Sequence, residues 1–135
     1  MRKEDWPEIL AKAVAAANDV PFAWGSQDCC LFAANVVLAI TDEDYAAEFR
    51  GHYSTATGAT KALQRYGMGS IRKTIDAKFG SSLPPLMARR GDLLLAMTSR
   101  GESLGVSMGA TSAFKSPSGV AMLRLDACLC CWRVD

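Results

Sequence analysis

The sequence predicts one α+β domain over residues 1–135, with N-terminal helices packed on a C-terminal antiparallel sheet. Three observations carry this prediction. Residues 29–40 form an apolar run, rich in Ala and Leu and broken only by Asn35, which reads as a helix buried on nearly all sides. Pro84-Pro85 then breaks the chain, and helical spacing of apolar residues stops there. Beyond residue 90, Gly, Pro and Ser recur every few residues between short apolar stretches, the pattern of an antiparallel meander.

The elements follow in order. Trp6, Ile9, Leu10, Ala13, Val14 and Ala17 recur at helical spacing within residues 3–18, with Pro7 tolerated in the first turn. Pro21 and Gly25 mark a turn before the buried helix, and Ser26 and Asp28 are both N-cap candidates for a start near Cys29. The run 45–50 after Asp42-Glu43-Asp44 predicts a short helix closed by Gly51. Ser54 and Thr55 precede a helix over 56–66, stopped by Gly67 and Gly69, and a further helix over 71–79 ends at Gly80. Strands are predicted within 90–97, 103–108, 112–115, 120–125 and 129–134.

Bulk composition narrows the function classes. The chain is 50% apolar and 21% charged with a formal net charge of +1, which suits a single core. No charge excess or like-charge block suggests nucleic acid or an anionic membrane as a partner. The longest apolar run falls well short of the ~20 residues that span a bilayer. The first residues, Met-Arg-Lys-Glu-Asp-Trp, lack the apolar stretch of a secretory signal. Two of the five cysteines are the neighbours Cys29-Cys30 and two more are Cys130-Cys131, an awkward set for ordinary bridges. They read as reduced thiols of a protein made in the cytoplasm. No cofactor is expected.

Several side chains are candidates for chemistry. Cys29 opens a buried helix, where unpaired N–H groups and the positive end of the macrodipole favour a thiolate, while the Asp28 charge opposes it. It is either a nucleophile or a small residue that lets the helix pack closely. His52 is the single histidine; it is either exposed after the Gly51 turn or a displaced base. Arg50 and Tyr53 flank that turn, to anchor it or to bind a partner. Arg90 and Asp92 bond neighbouring backbone where the sheet begins. Cys128, Cys130 and Cys131 invite a zinc or iron–sulfur reading. Their Cys-x-Cys-Cys spacing is not the usual Cys-x-x-Cys, and small apolar packing before Trp132 is the simpler account. On a strand, Cys128 and Cys130 would share one face and Cys131 the other.

The order of motifs resembles the NlpC-type papain-like cell-wall cysteine peptidases. Phe22, Trp24-Gly25 and Asp28-Cys29 resemble the opening of that family's nucleophile helix, and Gly91-Asp92-Leu93-Leu94-Leu95 its first strand. The whole chain is similar to a small family encoded in phage tail operons. The matching motifs are Trp24 to Cys29, Arg50-Gly-His-Tyr53, Arg90-Gly-Asp92, Leu104-Gly-Val106 and Trp132-Arg-Val134. The resemblance implies a papain-like fold with Cys29 at the nucleophile position. It also implies a place in the virion, at the tail tip or in tail assembly, with other tail proteins as partners. NlpC-type peptidases carry a catalytic His in a His-Val-Gly-Ile stretch, where this chain has Ser103-Leu-Gly-Val106. A thiol nucleophile needs a base, and the base an orienter. Two functions are therefore expected: a structural tail component on a degenerate peptidase scaffold, or an active peptidoglycan endopeptidase or amidase using Cys29. Retention of a groove for peptidoglycan peptide without the reaction lies between them.

Overall fold

The computed structural model describes residues 1–135. Asp28 decides where the central helix begins. Its backbone is extended (φ −89°, ψ 177°) and its Oδ1 accepts the Leu31 N–H at 3.0 Å, so α2 runs over Cys29–Thr41. Eight of its residues are buried, as an apolar run without an exposed face requires. α1 (Trp6–Asn18) lays Leu10, Val14 and Ala17 against it. Thr55 and Ser70 cap α3 (Ala56–Tyr66) and α4 (Ile71–Phe79) by accepting the N–H groups of Gly58 and Lys73. No helix is long and apolar enough to cross a membrane.

The predicted helix over 45–50 is a succession of turns instead. Asp44 accounts for this, because its carboxylate accepts the Ala46 N–H at 3.1 Å and both Nε and Nη2 of Arg50 at 2.8 and 3.1 Å. Side-chain bonds thus replace the helical ladder. The segment still buries Ala46 and Phe49 against Leu31, Ala34 and Ala62.

The C-terminal half forms a five-stranded antiparallel sheet: β1 (Leu93–Thr98), β2 (Gly101–Ser107), β3 (Thr111–Ser116), β4 (Gly119–Arg124) and β5 (Cys130–Trp132). The order is β4-β3-β2-β1-β5, so only the first four strands meander. β5 returns across the sheet to the free edge of β1, pairing Leu93 with Trp132 and Leu95 with Cys130. Leu93, Leu95, Leu104, Val106 and Ala113 face α1 and α2. Leu94, Ala96 and Phe114 point to the opposite face, under a thin cover that includes Leu83 and Leu125.

Short 3₁₀ turns at Pro85–Met87 and Leu125–Ala127 were not legible in the sequence. The second of them changes the late cysteines. It takes Cys128 out of the strand, so Cys128 lies with Cys131 behind the sheet while Cys130 joins the main core. The face-sharing predicted for Cys128 and Cys130 is therefore corrected. All three are buried, burial raises each thiol pKa, and no three His, Cys, Asp or Glu side chains are grouped to hold a metal.

Two buried charges tie distant parts together. Asp92, 1% exposed, accepts from Arg2, Arg133 and the Val134 N–H, joining both chain ends to the start of β1. The Lys115 ammonium, fully buried on β3, donates to the Ala17 and Val20 carbonyls. A cation on the last carbonyls of a helix also complements its dipole, which fastens the end of α1 to the sheet.

A thiol-lined cavity at the start of α2

The start of α2 is held from three sides. Beyond capping Leu31, Asp28 uses Oδ2 to accept the Gly25 N–H at 2.9 Å and the Tyr53 hydroxyl at 2.6 Å. Burial and donation to this carboxylate push the Tyr53 phenol far above its ordinary pKa. Gly25 has φ +88°, and a Cβ there would lie 2.0 Å from the Tyr53 carbonyl oxygen. The Trp-Gly-x-x-Asp and Arg-Gly-x-Tyr motifs are thus two halves of one cap, closed on Asp28. Arg50 completes the second half by bonding Asp44 and, through Nη1, Asn35 of α2 at 2.8 Å. Both Arg50 and Tyr53 anchor the turn.

The thiols of Cys29 and Cys30 open from this cap into a cavity of about 370 Å³. Its walls are mostly apolar and include Phe22 and Trp24, packed edge to face with centroids 5.1 Å apart. β2 contributes Glu102, Ser103 and Leu104, and Arg100 precedes them at the same wall. The structure therefore brings Cys29 and Ser103 to one cavity. Ser103 is buried and its hydroxyl lies 3.0 Å from that of Thr98.

The Cys29 thiol is held down to about 7. Hydrogen bonding from Cys30 is the main cause, with the sulfurs 3.9 Å apart; the Leu104 N–H and the Ser103 hydroxyl add to it, against burial and the Asp28 charge. The same bond, with burial, pushes Cys30 well above its usual value. The contact thus favours ionisation of Cys29 over that of Cys30. Iodoacetamide is expected to alkylate Cys29 with a rate that rises through about pH 7. In Cys30→Ala that midpoint should move up towards the ~8.5 of a free thiol. An unchanged midpoint would remove Cys30 as the cause.

Other candidates lie elsewhere. His52 is exposed, its Nδ1 3.1 Å from the Tyr66 hydroxyl, and it does not line the cavity. Arg90 stacks 5.9 Å from the Trp6 ring, near the chain ends. Sequence reasoning missed Tyr45, which lines the cavity with a buried hydroxyl that has no hydrogen-bond partner. Burial raises its pKa far above the ordinary phenol value. No local pattern marks such a residue, since the other walls of the cavity come from distant parts of the chain. Glu102 was missed as well, although it immediately precedes Ser103.

A family model described as a domain of unknown function (DUF6950) matches residues 1–134, and the chain belongs to that family. No curated protein matches the chain.

Proposed function

We propose that this DUF6950 domain is a non-hydrolysing component of a phage tail, on a papain-like scaffold of the NlpC type that keeps the thiol and lacks the imidazole. One observation carries the reading. Cys29 opens a buried helix onto a cavity whose sheet wall bears Ser103, while the only histidine lies outside it. Peptide hydrolysis requires a proton for the leaving amine, and general acid–base help of that kind is worth ~10²–10⁴ in rate. A serine hydroxyl is neither basic nor acidic enough near neutral pH to supply it. The helix end and Cys30 make the thiol reactive without making it a hydrolase. The tail placement and the contacts with other tail proteins rest on the order of the five sequence motifs.

A second reading, an active peptidoglycan endopeptidase or amidase that aids wall penetration, is favoured by one observation: Cys29 is lowered to about 7. Incubation with peptidoglycan fragments separates the two. No cleavage beyond that of Cys29→Ala is expected. Cleavage that disappears in Cys29→Ala would establish the peptidase, and its loss in His52→Ala as well would identify the base. Mass spectrometry of purified virions and capture of tail proteins test the placement. Absence from both would end it.

A further inference from the structure

In the function proposed above Cys30 only tunes its neighbour, yet its thiol shares the cavity with that of Cys29. Adjacent cysteines are poorly placed for a disulfide. Their Cα atoms are ~3.8 Å apart across a trans peptide, and ordinary bridges span at least ~4.4 Å. All five cysteines are free. The pair is therefore a dithiol that resists closing on itself.

The sulfur separation suits a shared ligand instead. Two metal–sulfur bonds of ~2.3 Å meeting at ~120° hold their sulfurs ~4.0 Å apart. At 3.9 Å apart, the two sulfurs can both reach one ion with little movement of the chain. A second observation lies in the same cavity: the Tyr45 hydroxyl is buried and has no acceptor. A third ligand on that ion would provide one.

We propose that Cys29 and Cys30 form a two-thiolate site for a soft monovalent metal ion of the copper(I) type, with an exogenous third ligand that accepts from Tyr45. Thiolates select such ions. With no third Cys, His, Asp or Glu grouped with the pair, the protein does not complete a four-coordinate zinc site. Binding is a displacement: each thiol that takes the ion releases its proton to solvent, and no electron is transferred. The site is separate from Cys128, Cys130 and Cys131.

Anaerobic titration of the full chain with copper(I), in competition with a chromogenic chelator, tests the proposal. One equivalent is expected to bind. Cys29→Ser and Cys30→Ser should each weaken it at least tenfold, Tyr45→Phe by a smaller factor, and the triple Cys128→Ser/Cys130→Ser/Cys131→Ser not at all. Circular dichroism of each variant checks that it folds. X-ray absorption of the loaded wild-type protein reads the site without mutation, and two sulfur neighbours with one lighter atom are expected. Failure to compete for copper(I), full binding by Cys30→Ser, or a signal traced to the late cysteines would overturn the proposal. Peptidoglycan cleavage does not bear on any of these outcomes.

Discussion

Asp92→Ala is expected to lower the unfolding free energy by at least about 1–3 kcal/mol, the cost of leaving a buried donor without its acceptor. The carboxylate, 1% exposed, accepts the Arg89 N–H at 2.9 Å, the Val134 N–H at 3.0 Å, Arg2 at 3.0 Å and Arg133 at 3.2 Å. The arginines are 15% and 28% exposed and can turn to water when the carboxylate is gone. The Val134 N–H cannot, because that residue is buried, and an orphaned buried donor costs about 1–3 kcal/mol. The damage is shared by both chain ends, since Arg2 also donates to the Val134 and Arg90 carbonyls. Urea unfolding monitored by tryptophan fluorescence reads the effect, and a fall in melting temperature of roughly 10 °C should accompany it. Asp92→Asn should lose less, because one amide oxygen still accepts. A change below about 1 kcal/mol in Asp92→Ala would mean that the chain ends are held by packing alone.

Gly25→Ala should destabilise by about 3 kcal/mol or more and disturb the thiol as well. A positive φ costs a non-glycine residue roughly 1–2 kcal/mol. At Gly25 the added Cβ would also meet the Tyr53 carbonyl oxygen at 2.0 Å, and backbone on both sides leaves little to yield. The relief would separate the 22–28 turn from Tyr53 and open the cap on Asp28. Faster alkylation of Cys29 is expected alongside the lower stability, since the same cap closes the cavity. Gly51→Ala is the control: φ is +79° and nothing lies within 4 Å of its Cβ, so only the conformational term applies. Equal losses at the two glycines would show that the contact with Tyr53 carries no weight.

These two positions show why some motifs were legible before others. Gly25 and Asp28 were visible as punctuation and cap, because glycine at a turn and aspartate before an apolar run have local causes, and Tyr53 was visible only as flanking the Gly51 turn. That they form one cap was not visible, since Tyr53 is 25 residues from the carboxylate it bonds. Asp92 was read as bonding neighbouring backbone, which it does at Arg89. Its contacts with Arg2 and Arg133 depend on both chain ends meeting, which no local pattern encodes.

From sequence alone came the elements whose causes are local. α3 and α4 have the predicted bounds because caps and glycines delimit them, α2 starts at its cap, and the switch to strands follows Pro84-Pro85. Tertiary structure decided the rest. It sent β5 back to β1 and buried Lys115 against the end of α1, whereas the turns at 45–50 have a local cause in Asp44 that the pattern of apolar residues hid. It also placed Cys29, Cys30, Ser103 and Tyr45 around one cavity. The physical reason is range. Caps, breakers and hydrophobic period act over a few residues. Strand order, a shared buried charge and the walls of a cavity are set by which surfaces remain to be covered once the local elements have formed.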